Sequence, residues 1–348
     1  MAEKYGLGIV GYGRFGRMHA QALSEIPEAQ IAAVMVGSEQ SGLLAKEELH
    51  VPVYYDYDEF LKVEGMDSII IATPNSTHVE LAIRAMNAGK NVYLEKPMAT
   101  NLDDAAKIIE VHEKTNSVIQ IGFENRYSSF WSTVKSILSK GEIGSTISGK
   151  IENWRFPMRS GSKGWKYDKE RVGHQLLEEA IHYTDLANWL MGKRPLYVTS
   201  YADDPAFTIE SGRLTNVWVL IVYEMGQRFL ILDNLNGFGI SLTMTVSGDG
   251  GTITGGFAAD SDDSTGVNTY IKSRNKENKI DTTNVELKGQ LSDLTASLRS
   301  FMNAVEQHEE AEITVYDGYN ALAICIAALE SIKMGGAQPV KWIHPVGQ

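Results

Sequence analysis

The stretch Gly6-Leu7-Gly8-Ile9-Val10-Gly11-Tyr12-Gly13-Arg14-Phe15-Gly16 is an apolar run that breaks into three spaced glycines. It predicts a β-strand that turns tightly into a helix. Gly11 would allow the turn, Gly13 would let a pyrophosphate approach bare backbone, and Gly16 would let the helix lie close to the strand. The helix N-terminus would then face the anion. The pattern indicates a dinucleotide site only where a strand, a helix and a second strand surround it.

The segments that follow supply this context. Strand-like runs such as Gln30–Val36, Asp67–Ala72 and Asn91–Leu94 alternate with helical periodicity, and the second run is rich in isoleucine. Near-continuous apolar content is typical of a parallel strand that is covered on both faces. We therefore predict an α/β fold whose N-terminal domain, residues 1–123, is a Rossmann domain with a doubly wound parallel sheet.

Residues 124–348 have a different pattern. Strand-like runs follow one another here, among them Val217–Tyr223, Arg228–Asp233 and Ile240–Val246. Strands that follow strands indicate antiparallel pairing, so we predict a C-terminal α+β domain with an open, mainly antiparallel sheet. A chain of 348 residues is long enough to bury two cores.

The composition excludes several classes of protein. A formal net charge of −12 argues against nucleic acid as a partner, because neutralising phosphates requires a basic surface. No apolar run approaches the roughly 20 residues that cross a bilayer, and the early glycine turn leaves no room for a signal peptide, so we expect a cytoplasmic protein with no membrane partner. Cys325 lies in an apolar periodic run and is interpreted as a buried hydrophobic residue rather than a nucleophile.

Polar residues stand where the predicted parallel strands end. Besides the glycine turn, they form the segments Val36-Gly37-Ser38-Glu39, Thr73-Pro74-Asn75 and Glu95-Lys96-Pro97. Ligands of an open parallel sheet bind at the carboxyl ends of its strands. If the glycine turn holds a dinucleotide, the last two segments lie where its ribose and nicotinamide run, and Lys96 comes near the reacting carbon. The alternative for a lone lysine is a solvated surface charge.

A long helix is predicted from about Val172 to Met191. One face of it would carry four residues spaced four, three and four apart, namely Glu178, His182, Asp185 and Trp189. A carboxylate one turn from an imidazole can orient the ring for general-base catalysis. The alternatives are a core histidine that is satisfied by a neighbour, a solvated charged stripe, and a metal site on His182 and Asp185.

The loop from Trp154 to Arg171 is aromatic and basic within an otherwise acidic chain. Side chains such as Trp154, Arg155 and Trp165 could stack on a pyranose ring and hold its hydroxyls, or could clamp an anionic substrate. A surface loop with a small satellite cluster is the competing interpretation.

Six short motifs follow one another in a characteristic order along almost the whole chain. They are Gly11-Tyr12-Gly13-Arg14-Phe15-Gly16 with His19, Ala72-Thr73-Pro74-Asn75 with His78, Gly89-Lys90-Asn91-Val92, Glu95-Lys96-Pro97-Met98, Gly122-Phe123 with Asn125-Arg126-Tyr127, and His182-Tyr183-Thr184-Asp185. In this set the chain resembles the Gfo/Idh/MocA family, named after glucose–fructose oxidoreductase, inositol dehydrogenase and rhizopine catabolism. The ordered set is specific for the family and not for a substrate.

The resemblance implies an NAD(P)-dependent dehydrogenase or reductase that acts on a sugar, a sugar derivative or a polyol. Lys96 would be the catalytic lysine, with a peptide to Pro97 that is commonly cis in the family, and His182 a second proton-transfer residue. The third polar position is often aspartate in the inositol dehydrogenase branch and is Glu178 here. Glu178 would therefore act as an orienter, a base or a substrate ligand.

The motifs and strand ends together give the predicted site. The cofactor-binding residues are Gly11, Tyr12, Gly13, Arg14, Phe15, Gly16, Ser38, Thr73, Pro74, Asn75, His78, Glu95, Lys96 and Asn125. The substrate-binding residues are Arg126, Tyr127, Trp154, Arg155, Trp165, Glu178 and His182. No metal is expected.

The adenosine end of the site departs from the pattern for NAD. An acidic residue about 20 positions past the glycines normally binds the ribose hydroxyls, but the strand tip at Val36-Gly37-Ser38 carries no acid. Ser38 could accept a 2′-phosphate, although no arginine or lysine stands directly beside it. The segment therefore favours NADP and leaves NAD open.

Two other functions compete with a dehydrogenase. Some family members oxidise a sugar hydroxyl, eliminate a substituent and return the hydride, which would make the chain a redox-assisted glycoside lyase or glycosidase with a recycled cofactor. The other is a non-catalytic dinucleotide-sensing protein, which the presence of Lys96 and His182 disfavours. Family members commonly pair through the open sheet, so a homo-oligomer, dimer or tetramer, is expected through the C-terminal sheet.

Overall fold

The computed structural model describes residues 4–155, 168–203, 216–235, 239–259, 270–277, 279–284 and 292–344. The chain divides into two compact units. The described part of the first unit comprises residues 4–123, 168–173 and 294–319, and the second unit contains the other described residues. The first unit is thus assembled from separate segments of the chain.

A parallel sheet forms the centre of the first unit. Within the described residues it has six strands, which are β1 (Tyr5–Val10), β2 (Ala29–Met35), β3 (Val53–Tyr54), β4 (Ser68–Ile71), β5 (Asn91–Glu95) and β6 (Ile119–Gly122). Their order is β3-β2-β1-β4-β5-β6, and every neighbouring pair is parallel. The predicted Rossmann sheet is confirmed, and the carboxyl ends of β1, β4 and β5 are neighbours along one edge.

Several helices begin or end at residues that are typical of helix termini. In chain order the helices of the described ranges are α1 (Arg14–Ser24), α2 (Glu39–Leu49), α3 (Tyr57–Leu61), α4 (His78–Asn87), α5 (Leu102–Lys114), α6 (Ser129–Ser139), α7 (Lys169–Val172), α8 (Ala180–Met191), α9 (Leu294–Gln307) and α10 (Val315–Met334). Asp56 and Asn101 cap α3 and α5 by accepting backbone N–H groups, and both are residue types preferred at helix N-termini. Gly89, with φ of 74°, follows α4 in the left-handed conformation that ends a helix.

Helix α9 completes the core of the first unit although it lies far along the chain. Ser297 Oγ is 2.9 Å from the hydroxyl of Tyr93 on β5, and the Ser297 carbonyl accepts a hydrogen bond of 3.0 Å from Gln120 on β6. Phe301 meets the Tyr93 ring edge-on at 5.9 Å. The face of β5 and β6 is therefore covered by a segment that no local sequence pattern connects to it.

The second unit is built on a larger sheet. Its described strands number nine, namely β7 (Thr146–Trp154), β8 (Pro195–Ala202), β9 (Asn216–Tyr223), β10 (Arg228–Asn234), β11 (Ile240–Gly248), β12 (Gly251–Ala259), β13 (Tyr270–Asn275), β14 (Ile280–Asn284) and β15 (Gln338–Pro339). Their order is β14-β13-β12-β11-β7-β10-β9-β8-β15. β7 and β10 are parallel, while the other neighbouring pairs are antiparallel. The predicted open, mainly antiparallel sheet is confirmed.

Side chains of this sheet alternate between its two faces, as the period of a strand requires. On β9, Val217, Val219 and Ile221 are buried, whereas Trp218 and Leu220 are exposed. One face therefore forms the core of the unit and the other is open. Across the described ranges, no helix combines the length and the apolar character that crossing a membrane requires.

Candidate active site

The glycine turn between β1 and α1 leaves bare backbone at the start of a helix. Gly11 has φ of 93°, and a Cβ atom there would come 2.5 Å from the carbonyl oxygen of Ala72. A Cβ on Gly16 would collide with the Gly11 carbonyl oxygen, whereas one on Gly13 would meet nothing within 4 Å. Gly13 is the N-cap of α1, and the first turn of α1 carries no acid. This cradle fits the pyrophosphate of a dinucleotide.

Tyr12 fixes the turn to helix α2. Its hydroxyl donates to Glu48 Oε2 at 2.8 Å, and Arg17 Nε donates to the same oxygen at 3.0 Å. Burial, together with the neighbouring carboxylate of Glu48, raises the pKa of Tyr12 above its ordinary range. The Tyr12 side chain thus holds the turn in place, while Arg14 and Phe15 begin α1 immediately after it.

Ser38 stands at the start of α2. Its Oγ accepts the backbone N–H of Ser41 at 3.3 Å and donates to the Ser41 hydroxyl at 3.0 Å. Glu39 follows in the first turn. The Ser38 hydroxyl, which was predicted to lie at the adenosine end of the dinucleotide, therefore also caps α2.

His78 at the start of α4 connects the ends of β4 and β5. Its Nδ1 lies 2.8 Å from the carbonyl oxygen of Pro97, and its Nε2 lies 2.9 Å from that of Thr73. Because carbonyl oxygens only accept and a neutral imidazole carries one N–H, a neutral ring donates to one of these two oxygens at a time. Asn75 Nδ2 donates to the carbonyl of Val172 at 3.0 Å. The Lys96–Pro97 peptide is cis, as the family resemblance implied.

Lys96 is buried at the end of β5, with 6% of its surface exposed. Its Nζ lies 5.9 Å from the centre of the Phe15 ring. The preceding residue, Glu95, places Oε1 2.7 Å from His19 Nε2. The interpretation of Lys96 as a solvated surface charge is therefore wrong, because the residue is buried.

In the second unit, α8 begins at Ala180 and not near Val172. Gly173 has φ of 80°, and His174 Nδ1 accepts the backbone N–H of Leu176 at 3.3 Å, so the chain turns before the helix starts. Glu178 therefore precedes α8, and the prediction that it shares a helical face with His182 is wrong. Glu178 is nonetheless buried, with 3% exposure, and His182 is half-buried on the first turns of α8.

The remaining two residues of the predicted face bind Arg126. Asp185 accepts two hydrogen bonds from the guanidinium, one of them 2.8 Å from Arg126 Nε to Oδ2. The Trp189 ring lies 5.6 Å from the guanidinium carbon. Both charged side chains are buried. Arg126 and its neighbours Asn125 and Tyr127 lie in a short 3₁₀ turn, Glu124–Tyr127, which the ion pair fastens to α8.

A further cluster joins the ends of β7 and β10, where the two strands run parallel. Asn153 Nδ2 donates to Asp233 Oδ1 at 2.7 Å, and Arg155 forms an ion pair with Glu179, the residue that precedes α8. Burial and the nearby Glu179 raise the pKa of Asp233 to about 7, against the opposing effects of Asn153 and Arg155. Glu179 and Asp233 were missed from the sequence. The signal for Asp233 was a carboxyl that interrupts the apolar run of β10.

For three other residues singled out from the sequence, Trp154, Trp165 and Cys325, the outcome is brief. Trp154 ends β7 with 42% of its surface exposed. Trp165 lies outside the described residues, as does most of the basic loop. Cys325 is buried, and burial raises the pKa of its thiol to about 12, so a thiolate nucleophile is disfavoured. In the part of the chain that is described, no three His, Cys, Asp or Glu side chains are grouped so as to hold a metal ion.

Comparison with known proteins agrees with this arrangement. Residues 5–123 match the model of an oxidoreductase family with an NAD-binding Rossmann fold, and residues 135–341 match the C-terminal alpha/beta domain of the same oxidoreductase family. The chain therefore belongs to the Gfo/Idh/MocA oxidoreductase family. The prediction of an enzyme that uses a nicotinamide dinucleotide is confirmed at this level, and a non-catalytic sensor is not favoured.

Individual relatives match the chain over almost its whole length but at low sequence identity. The chain is 26% identical over 352 residues to the uncharacterized oxidoreductase YrbE of Bacillus subtilis, covering 99% of this chain and 98% of that one. It is 26% identical over 334 residues to a myo-inositol 2-dehydrogenase of Thermotoga maritima, with 94% and 96% coverage.

Solved structures share the fold over nearly the whole chain. A myo-inositol 2-dehydrogenase from Lactobacillus plantarum superposes with a TM-score of 0.81 at 24% identity, covering 97% of this chain and all of that one. A levoglucosan dehydrogenase in complex with NADH and levoglucosan gives 0.82 at 18% identity, with 98% and 100% coverage. At these identities the likeness establishes the architecture of both units.

Proposed function

We propose that this enzyme transfers a hydride between a nicotinamide dinucleotide and a hydroxyl or keto carbon of a sugar, a sugar derivative or a polyol. The observation that carries the proposal is Lys96, which is buried at the end of β5 in the same unit as the open glycine cradle at Gly13. An enclosed ammonium group at a strand end is suited to act on a polar reacting centre. Relatives named inositol and levoglucosan dehydrogenases support a polyhydroxylated substrate.

The bound dinucleotide would supply the hydride chemistry, and the protein would supply binding, charge and proton transfer. The backbone of Gly11, Gly13 and Gly16 would hold the pyrophosphate at the start of α1. As an ammonium, Lys96 would stabilise the alkoxide that develops on the substrate; as an amine, it would accept the hydroxyl proton. His182 would be the second proton-transfer residue.

Three further residues are assigned to the substrate side of this proposal. Glu178, buried two residues before the start of α8, would orient a hydroxyl group of the substrate or accept a hydrogen bond from it. Tyr127 and Trp154 would contact the sugar. Arg126 is bound by Asp185, so it would position the turn that carries Asn125 and Tyr127. Arg155 is paired with Glu179 and would position the end of β7.

The experiment is a screen of the purified enzyme against a panel of sugars and polyols, with absorbance of the reduced nicotinamide as the readout. Sustained, substrate-dependent formation of NADH or NADPH is the expected result. Cleavage of a glycoside without net cofactor turnover would instead indicate the redox-assisted lyase or glycosidase. Binding of dinucleotide with no turnover on any member of the panel would contradict the proposal.

For the cofactor we propose a preference for NADP. Ser38 begins α2, so a 2′-phosphate at this point would meet a helix N-terminus, which favours an anion. The carboxylate of Glu39 in the same turn opposes it. Dissociation constants for NADPH and NADH, measured by quenching of tryptophan fluorescence, decide between the two effects. Equal or tighter binding of NADH would overturn the preference.

We propose that a second copy of the chain covers the open face of the second sheet. Tyr201 and Trp218 are register partners on β8 and β9, and they and Leu220 are exposed on that face. Monomers rarely expose large contiguous apolar patches. Since each chain carries a net charge of −12, two copies repel each other least where the surface is uncharged. Light scattering should give at least a dimer mass, and Trp218→Glu should lower it; a monomer would contradict the assembly.

A further inference from the structure

The strand end that carries Lys96 is held on both sides by histidines. Before it, Glu95 Oε1 lies 2.7 Å from Nε2 of His19 on α1. After it, the carbonyl oxygen of Pro97 lies 2.8 Å from Nδ1 of His78 on α4. The His78 contact belongs to a strand-to-strand connection already described. The His19 contact is different, because it ties Lys96 to the helix that follows the glycine turn.

Helix α1 touches two consecutive residues of the β5 end. Phe15 and His19 are four residues apart, so they lie on the same face of α1, one turn from each other. The Phe15 ring lies 5.9 Å from Lys96 Nζ, and His19 contacts Glu95. The His19 ring also meets the Tyr93 ring edge-on at 5.2 Å. A shift of α1 would therefore be transmitted to Lys96 through two contacts.

The neighbouring strand leaves room for the Glu95 carboxyl group. Gly122 is the register partner of Glu95 on β6. A Cβ atom on Gly122 would come 3.3 Å from the Cα, Cδ and Oε1 atoms of Glu95. Few Cβ atoms tolerate contacts of that length, so glycine at 122 keeps Glu95 free to turn toward His19. The pair is thus built by α1, β5 and β6 together.

Within the described part of the chain, the His19 ring makes one hydrogen bond, the one to Glu95. His19 is fully buried and Glu95 is 5% exposed. His19 Nδ1 has no hydrogen-bond partner among the residues that the structure describes. A hydrogen on Nδ1 would leave a buried donor unsatisfied, so the arrangement that costs least places the hydrogen on Nε2, which donates to the Glu95 carboxylate. The hydrogen bond between His19 and Glu95 therefore has no substitute on the ring among the described residues.

We propose that His19 and Glu95 form a positioning pair that couples the glycine turn to Lys96. The pair sets the distance between α1, whose N-terminus would receive the pyrophosphate, and the strand end that presents the lysine. The inference rests on the proposed function, in which Lys96 acts on the substrate. His19 itself is enclosed, so its effect is exerted through Glu95 and not by contact with the reacting atoms.

The test uses the whole protein without cofactor or substrate. Lysine labelled with ¹³C at Cε is incorporated during expression, and the Lys96 signal is the one that disappears from the NMR spectrum of Lys96→Met. In His19→Leu this signal is expected to move, because the bond to Glu95 is lost. In His19→Gln it should stay near its position, since the glutamine amide nitrogen can replace Nε2 as donor. Leu23→Ala, one turn further along α1 and buried, is the control for general destabilisation and should leave the signal unchanged.

Kinetics supply the second readout once the screen provides a substrate. His19→Leu should lower kcat by about tenfold or more, since small misplacements of a catalytic group are costly, and should weaken dinucleotide binding, while KM for the substrate changes less than about twofold. His19→Gln should recover most of both losses. Should His19→Leu fail to fold, Glu95→Ala breaks the same bond from the strand.

Two outcomes overturn the inference. One is an unmoved Lys96 signal with an unchanged kcat in His19→Leu. The other is an equal effect of Leu23→Ala. A fully active Lys96→Met would instead contradict the proposed function, so the two failures are distinguishable.

Discussion

The two units hold their candidate functional residues in different ways. At the edge of the first sheet, backbone conformation and histidine contacts with carbonyl or carboxylate groups hold the glycine turn and Lys96. In the second unit, charged side chains hold one another on α8 and at the ends of β7 and β10, as Arg126 does with Asp185 of α8. The first arrangement depends on shape, and the second on charge balance. The difference predicts which substitutions affect ligand binding and which affect stability and its pH dependence.

The largest effect is expected at Lys96. Lys96→Met removes the charge and the proton acceptor while keeping an apolar side chain of similar length, and should lower kcat by about 10³-fold, within the range of proton-transfer catalysis. Turnover is followed by nicotinamide absorbance on a substrate from the screen. Lys107→Met, at an exposed lysine of the same unit, is the matched control and should be fully active. Near-normal turnover in Lys96→Met would remove Lys96 from the chemistry.

The next effect concerns stability and tests the charge-based region. Arg126→Met leaves the Asp185 carboxylate buried without its partner, which should cost about 3–5 kcal/mol of unfolding free energy. Replacing both residues, Arg126→Met with Asp185→Leu, should restore much of the loss. Urea unfolding measures both. In the first unit, Arg17→Met breaks an exposed pair with Glu48 and should cost less than about 1 kcal/mol. Equal costs for the two arginines would erase the contrast between the units.

The glycine turn offers a matched pair of substitutions. Gly16→Ala should destabilise the fold by roughly 1–3 kcal/mol, because its Cβ meets the Gly11 carbonyl oxygen. Gly13→Ala has open space and should leave the melting temperature nearly unchanged, while weakening dinucleotide binding about tenfold or more by obstructing the cradle. Thermal unfolding and fluorescence titration separate the two. If Gly13→Ala binds as tightly as the parent, the pyrophosphate lies elsewhere.

The last prediction is a pH dependence of stability in the second unit. The pKa of Asp233 is raised from 3.8 to about 7, chiefly by burial and then by Glu179. The folded protein thus keeps a proton that the unfolded chain releases, so the stabilisation is complete below about pH 4 and is lost as the pH rises toward 7, by at most about 1.4 kcal/mol per unit. Asp233→Asn keeps an acceptor for Asn153 and should flatten this slope.

Urea unfolding at about pH 5 and about pH 8 measures the slope. Asp281→Asn, at an exposed aspartate of the same unit, is the control and should keep the parental pH dependence. A parental slope in Asp233→Asn would show that another group titrates in this range.

Features set by neighbouring residues could be predicted from the sequence, whereas contacts between distant elements could not. The glycine turn, the strand ends and the caps at Asp56 and Asn101 could be predicted because each depends on a few consecutive residues. The bond between His19 and Glu95 could not, because it joins residues on different elements. The start of α8 was misplaced because Gly173 and a histidine-capped turn interrupt a run whose apolar spacing looks helical. Asp233 was missed because strand periodicity carries no information about which strands are parallel neighbours.

The position of α9 in the chain has a consequence for biosynthesis. A ribosome releases β5 and β6 long before it has made residues 294–307, yet Ser297 and Phe301 are what cover Tyr93 and Gln120. During translation, the face of the Rossmann sheet that carries Tyr93 and Gln120 therefore stays exposed until α9 has been made. Exposed apolar surface of this kind is what chaperones bind. The domain that comes first in the sequence is completed only when most of the chain has been made.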